Sequence, residues 1–587
     1  MNASPPLRPH PQVAAALRDC SRAFWSVALF SGAVNLLMLV GPVYMLQVYD
    51  RVLASRSVPT LVALSVMLVA AYAFQGLFDA IRGRLVVRSA SLLDRELGTT
   101  VHAAVVRLAL FSRTAGEAQQ PVRDLDQIRG FLTGAGPVAI VDMPWMPAFL
   151  AICFLIHPWL GILSAGGALI LILITVLTER ASRAPSQDLS REGGARQAMI
   201  DADRRNGETA TAMGMAPTLA ARWSAVNGRY LGAVQRSSDV TGGFGSLTKI
   251  VRLTLQSAIL GVGAYLVIHN ELTAGAMIAA SIMMGRALAP IETAIANWRS
   301  FVSARQGVRR LSETLARLQA APAETNLPKP AASLAVENLS VAAPGAATPI
   351  LRDLRFQLAA GDAVGVVGPS GTGKTSLIRT LVGIWRPAHG TVRLDGATLE
   401  QWRAEELGRS IGFVSQNVDL FEGSIAENIA RMAIEPDSDA VIRAAQAAGA
   451  HDMILRFPKG YDTPVGEAGA ILSAGQRQRI ALARALYGDP FLIVLDEPHS
   501  NLDSEGEAAL TQAIQAAKAR KAIVIVIAHR PLALAACDKV LYLANGVQQA
   551  FGPRDEVLPK ILMRTAPVPA AQAPFVVVGQ GASGARS

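Results

Sequence analysis

AVGVVGPSGTGKTSLIRTL, residues 363–381, decides how half of this chain is read. Five apolar residues run without alternation, as a strand buried on both faces does. A glycine-rich turn follows, then a helical stretch. Gly368, Pro369, Ser370, Gly371, Thr372, Gly373, Lys374 and Thr375 fit the pattern G-x-x-x-x-G-K-[ST], with Ser376 next on the helix. The glycines let successive backbone N–H groups point into one concavity, and the helix N-terminus adds partial positive charge. Such a turn cradles phosphates. Lys374 is placed to reach the β- and γ-phosphates of a nucleotide, and Thr375 to ligate Mg²⁺.

FLIVLDE (491–497) and AIVIVIAH (522–529) are further continuous apolar runs separated by amphipathic stretches. Residues 334–562 therefore read as an α/β domain with a buried parallel sheet. FLIVLDE ends in two carboxylates. Asp496 is placed to hold magnesium, and Glu497 to act as general base on the attacking water. Upstream, residues 306–333 pass from a charged helical stretch into a boundary whose prolines mark a linker. Residues 563–587 read as a poorly ordered tail.

The N-terminal half has another character. Of all 587 residues, 51% are hydrophobic and 17% charged, against about 25% charged in soluble domains, so part of the chain is expected in lipid. Beyond a polar, proline-rich segment (1–20) ending in an amphipathic stretch, residues 21–305 hold six apolar runs near 23–46, 58–78, 136–156, 159–177, 253–268 and 274–294. Each is about long enough for a bilayer core, and the first exceeds a signal-peptide core. Two long polar stretches carry many arginines, from Arg82 to Arg129 and from Arg180 to Arg236 with Lys249. The alternate loops carry only Arg51 and Arg56. Both termini and both long stretches are therefore expected on the cytoplasmic side. That placement accounts for much of the +10 net charge, so no nucleic-acid partner is expected. Three widely spaced cysteines argue against a disulfide framework or a four-cysteine zinc site.

Between the phosphate loop and Asp496 lies Leu472-Ser473-Ala474-Gly475-Gln476, followed by RQRIALARALYGDP. Here the chain resembles the ATP-binding cassette family, whose signature is LSGGQ before a basic helix. The resemblance implies that Ser473, Ala474, Gly475 and Gln476 cap ATP held by the phosphate loop of a second copy, so the protein is expected to be a homodimer. It further implies that Gln416 senses magnesium and touches the membrane domain, that 500–503 cross the dimer interface, and that His529 holds the γ-phosphate and attacking water. Ala474 replaces the usual glycine and is expected to be tolerated. The family's adenine-stacking aromatic is missing from LSVAAPGAATPIL, which leaves Val341 or Pro344 to pack on the base. The segment from Thr463 to Gly469 resembles the exporters' TxVGERG, with Ala468 where arginine stands.

GPVYMLQVYDRVLASRSVPTLVALS (41–65) and VDMPWMPAFL (141–150) resemble the membrane helices of type I secretion exporters. The similarity covers roughly 20–560 and implies six transmembrane helices of the type IV ABC exporter kind, fused to one cassette. With about twenty residues before its first span, the chain resembles the PrtD-like branch that lacks an N-terminal peptidase-like domain. The implied activity is ATP-driven export of an unfolded protein with a C-terminal signal across the inner membrane. The implied partners are a periplasmic adaptor and a TolC-like outer-membrane channel. A lipid, peptide or small-molecule exporter with the same engine is the alternative. The six spans argue against a soluble twin-cassette factor.

The polar stretches show helical patterning and are expected to extend the spans, with tips near 114–120 and 193–200 docking beside Gln416. Asp142, Arg286 and Glu292 lie near cytoplasmic span ends, where interfacial pairing or snorkelling is the leading reading. Pro42, Pro144, Pro147 and Pro290 are expected to kink helices.

Overall fold

The computed structural model describes residues 10–110, 118–318, 327–346, 348–528 and 534–565. The start of the N-terminal segment, residues 114–117 of the first tip, His529 and the tail beyond Thr565 lie outside the described residues. Contacts divide the chain into two units, Met1–Ala320 and Ala321–Ser587.

The first unit is helical. α1 (Pro11–Leu37) and α2 (Val40–Gln47) run into one π turn, Val48–Val52. Then come α3 (Val58–Ala109), α4 (Gln120–Thr133), α5 (Ala135–Asp142), α6 (Met146–Ile156), α7 (Pro158–Arg205), α8 (Gly207–Ala212), α9 (Ala216–Ile268), α10 (Ala274–Ala296) and α11 (Trp298–Leu318). Among the described residues, six helical segments are long and apolar enough to cross a membrane, and they contain the six apolar runs of the sequence. α3, α7 and α9 have 52, 48 and 53 residues. At about 1.5 Å per residue, each is more than twice the thickness of a hydrocarbon core. Along α3, Val62, Val66, Val69, Phe74 and Leu77 are exposed, a stripe that needs lipid or another protein surface.

Local chemistry sets the helix ends. Ser57 caps α3, accepting from Thr60 N–H, after Arg56 turns the chain in the left-handed region. Thr273 caps α10 the same way. Asp50, in the π turn, accepts from the Thr273 hydroxyl at 2.7 Å and Gly275 N–H at 3.0 Å, pinning the first span to the sixth.

Leu160 and Leu171 of α7, Ile259 of α9, and Met284 and Leu288 of α10 form one apolar core. A second joins Val13 and Cys20 of α1 to Leu93 and Leu97 of α3, Leu125 of α4 and Leu311 of α11. In the latter, buried Asp124 takes Arg310 at 2.6 Å, tying α4 to α11.

The expected tip at 193–200 is not a tip. α7 continues to Arg205, and the turn falls at Asn206–Met215 around α8. Packing against α9 carries the helix through Gly193-Gly194: Arg196 stacks 4.3 Å over the Tyr230 ring, and Glu192 pairs with Arg229 at 3.4 Å. Asp142 and Glu292 are both paired. Asp142 takes Arg82 at 3.1 Å and Asn35 at 2.8 Å, while Glu292 takes Arg252 at 2.6 Å. Arg286 is exposed. Pro144 lies in a 3₁₀ turn between α5 and α6, Pro147 opens α6, Pro42 lies within α2 and Pro290 within α10.

The second unit is a sheet with helices against it. Its strands are β1 (Ser333–Ala342), β2 (Pro349–Ala359), β3 (Ala363–Val367), β4 (His389–Leu394), β5 (Ala397–Thr398), β6 (Ile411–Val414), β7 (Leu492–Asp496), β8 (Ile523–Ile527), β9 (Lys539–Ala544) and β10 (Val547–Pro553). Among the described residues they run in the order β5-β4-β1-β2-β10-β9-β3-β8-β7-β6. Strands β3, β8, β7 and β6 are neighbours and parallel. All residues of β7 and β8 are buried, which explains their unbroken apolar sequence.

Candidate nucleotide-hydrolysis site

Parallel strands carry their following loops to one edge of a sheet, and ligands of such sheets bind there. The register brings the expected residues to that edge. Val366 of β3 pairs with Ile527 of β8, Asp496 of β7 also pairs with Ile527, and Val414 of β6 pairs with Leu495. The phosphate loop therefore leaves β3 beside β8, whose chain continues to His529. Glu497 follows β7 directly, and Gln416 lies two residues past β6, exposed at the same edge.

The phosphate loop wraps around its lysine. Lys374, the first residue of α12 (Lys374–Leu381), is 7% exposed and donates from Nζ to Gly368 O at 2.8 Å and Pro369 O at 2.9 Å. Burial pushes its ammonium below the ordinary lysine range, while Glu497 and Asp496 pull it back up. Thr372 folds its hydroxyl onto Pro369 O. Gly368 has φ +157°, and a Cβ there would fall 2.1 Å from Leu543 O, so only glycine brings the loop this close to β9.

Asp496 is 2% exposed, and burial raises its carboxyl above the ordinary aspartate range, against a hydrogen bond from Thr375. Among the described residues its Oδ1 has no hydrogen-bond partner. A buried carboxylate oxygen without a donor, beside a hydroxyl, fits a hard cation. Among the described residues no cluster of three or more His, Cys, Asp or Glu offers another metal site. Glu497 sits at φ +51°, so the chain turns sharply after β7, and its carboxylate is close enough to Lys374 to act on that ammonium.

The signature segment starts α13 (Ala474–Leu486). Ser473 is its N-cap: the hydroxyl accepts from Gln476 N–H, and the Gln476 side chain accepts from Ser473 N–H at 2.9 Å. Gly475 packs under the turn at 500–503, where a Cβ would meet Asn501 O at 2.8 Å. Ala474, by contrast, is exposed, so its methyl group costs the fold nothing.

Two residues of α13 escaped the sequence reading. Gln478 is 2% exposed and donates to Glu497 O at 3.3 Å, linking the signature helix to the turn that carries the base. Arg479 reaches Asp503 at 2.6 Å. The signal for Gln478 was present: with Ala481, Leu482 and Ala485 it forms an i, i+3, i+4, i+7 face, on which a glutamine must find a partner.

Residues 351–500 match the family described as ABC transporter, and residues 24–288 the ABC transporter transmembrane region. The chain is 51% identical over 549 residues to the type I secretion system ATP-binding protein PrsD of Rhizobium meliloti (strain 1021), covering 94% of each chain. It belongs to the type I secretion ABC transporters. The leukotoxin translocation ATP-binding protein LktB of a Pasteurella haemolytica-like species is 30% identical, over 92% of this chain and 76% of that one. The cyclolysin secretion/processing ATP-binding protein CyaB of Bordetella pertussis is 29% identical, over 91% and 75%. The same fold appears in a bacterial Atm1-family ABC exporter with ATP bound: TM-score 0.79, 24% identity, 93% of this chain and 98% of that one. This transporter is thus an ATPase with a membrane domain and an ATP-binding cassette.

Of the two residues expected to pack on adenine, Val341 or Pro344, the first drops out. Val341 is fully buried, opposite Leu351 in the β1–β2 pair, and cannot pack on adenine. A bulge explains it: Asn338 takes φ +50°, and the in–out alternation set by Leu334 and Val336 changes parity before Leu339 and Val341. Pro344 stays half-buried just beyond the strand. Ala468, at the arginine position of the exporter segment, adopts φ +53°.

Proposed function

We propose that two copies of this chain form a homodimeric exporter in the inner membrane, with the cassettes and both termini in the cytoplasm. ATP hydrolysis drives an unfolded polypeptide with a C-terminal signal through a periplasmic adaptor and a TolC-like outer-membrane channel. The observation that carries the ATPase reading is the meeting of Lys374, Thr375, Asp496, Glu497 and Gln416 at one sheet edge. The kinship with secretion proteins supports a polypeptide cargo.

The residues divide the work. Backbone N–H groups of the phosphate loop between Ser370 and Ser376, with the Lys374 ammonium, hold the β- and γ-phosphates. Thr375 and Asp496, with Gln416, would hold Mg²⁺, which would supply charge neutralisation at the phosphates. Glu497 accepts a proton as water attacks the γ-phosphorus and the bond to the ADP oxygen breaks. His529 holds the γ-phosphate. Ser473, Ala474, Gly475 and Gln476 face the nucleotide of the other copy, so ATP binds the closed pair better than the open one. That difference in affinity is what moves the membrane helices.

The test compares the culture medium of a deletion strain carrying the wild type or Glu497→Gln. A large protein present only with the wild type supports hydrolysis-driven export and identifies the cargo. An unchanged protein profile with the transporter expressed would sink the polypeptide reading and bring lipids or small molecules forward.

A further inference from the structure

Between α9 and α10 the membrane unit forms an open groove of about 450 Å³. That lies within the range of ligand pockets, about 300–1,000 Å³. Its lining mixes charged, hydroxyl and apolar groups. Thr241, Thr248, Lys249 and Arg252 line it from α9 and Glu292 from α10, with Ile295 closing one side. It lies at the end of the fifth and sixth spans that the arginine pattern assigns to the cytoplasm. Gly242 and Gly245 also line it, and among the described residues a Cβ at either would meet nothing within 4 Å, so the backbone there borders open space.

The charges do not balance. Lys249 and Arg252, three residues apart, lie on one face of α9. Glu292 answers only Arg252, at 2.6 Å, and no ion pair to Lys249 is present among the described residues. One more carboxylate would complete two pairs. Lys249 is exposed, so an anion entering the groove meets a cation that no carboxylate among the described residues answers.

We propose that this groove is a loading site for acidic stretches of the exported polypeptide. An incoming Asp or Glu side chain pairs with Lys249 and shares Arg252 with Glu292, while the gap over Gly242 and Gly245 admits the peptide backbone. The inference rests on the polypeptide cargo proposed above and adds a preference for the cargo's charge.

The experiment uses the full-length protein in vesicles of zwitterionic lipid, without nucleotide. The probes are two fluorescein-labelled twelve-residue peptides, one alternating Gly and Asp, the other Gly and Lys, read by fluorescence anisotropy. The acidic peptide is expected to bind at least tenfold more tightly. Lys249→Gln is expected to remove most of that preference, and Lys249→Glu, which leaves the Arg252–Glu292 pair intact, to reverse it. Because Arg252→Gln alone leaves Glu292 unpaired and risks misfolding, Arg252→Gln/Glu292→Gln serves as the neutral control; it keeps part of the preference through Lys249. Equal binding of both peptides, or a preference unmoved by the charge changes, overturns the site. Secretion that still depends on Glu497 alongside such a flat result would overturn the loading site alone. Loss of any transporter-dependent secreted protein would instead overturn the reading beneath it.

Discussion

Arg479 and Asp503 join the signature helix to the turn at 500–503. The Arg479 guanidinium donates to Asp503 Oδ1 at 2.6 Å, and the same oxygen accepts from Gly506 N–H at 2.8 Å as the N-cap of α14 (Ser504–Ala519). These two donors hold the Asp503 carboxyl below the ordinary aspartate range. One carboxylate thus sets the start of a helix and the position of the segment proposed to meet the second nucleotide.

Asp503→Ala is expected to cost about 1 kcal/mol of cassette stability through the lost cap. Arg479→Lys, which keeps the charge but loses the planar fork, leaves that cap intact. It is expected to lower ATPase kcat with little change in melting temperature. Paired thermal melts and turnover assays separate the two effects, and a large fall in melting temperature for Arg479→Lys would count against the positioning role.

Gly475→Ala and Ala474→Gly are adjacent and chemically alike, yet their outcomes are expected to differ. The first drives a methyl group to 2.8 Å from Asn501 O and displaces the interface turn. ATPase activity should fall by at least tenfold, about 1.4 kcal/mol in the barrier. The second changes an exposed position and should stay within twofold of wild type. Steady-state ATPase of the two purified variants decides.

Burial raises the Asp496 carboxyl. A raised pKa means that the proton competes for this oxygen at a higher pH than at an ordinary aspartate. As pH falls through that value, Asp496 protonates, and the Mg²⁺ concentration needed for half-maximal ATPase should rise. Adding Mg²⁺ should move the acid limb of the rate profile to lower pH. An acid limb independent of Mg²⁺ would remove Asp496 from that role.

Arg82, 9% exposed, joins Ser31 of α1 to Asp142 of α5, and Asp142 also accepts from the Asn35 side chain of α1. Removing one partner of a buried pair costs about 3–5 kcal/mol, whereas replacing both with apolar groups is often nearly neutral. Arg82→Met should therefore lower the melting temperature in detergent by several degrees, and Arg82→Met/Asp142→Leu should recover most of the loss.

Pro344→Tyr places an aromatic ring where the β1–β2 turn leaves the sheet. If adenine lies against that turn, stacking should tighten ATP by about 0.5–1.5 kcal/mol, a gain of up to roughly tenfold. Nucleotide titration of the hydrolysis-deficient Glu497→Gln background measures it.

What the sequence made legible was local. The phosphate loop follows from glycine spacing beside a strand, and the spans from runs of apolar residues, because each depends on neighbours in the chain. What it hid depended on distant partners. Gly193-Gly194 reads as a break, at about 1 kcal/mol per glycine against alanine. The helix survives because Tyr230 and Arg229, more than thirty residues on, receive Arg196 and Glu192. Val341 looked available because one left-handed residue, Asn338, reverses which side of β1 faces inward. Gln478 and Arg479 read as part of a basic run until the strand and turn they serve were folded beside them.

The 53 unbroken residues of α9 make it a lever. At about 1.5 Å per residue its arm is about 80 Å, so a tilt of ten degrees about one end sweeps the other through about 14 Å. Small rotations driven at one tip are thereby geared into displacements as wide as a polypeptide, without any helix having to bend or melt.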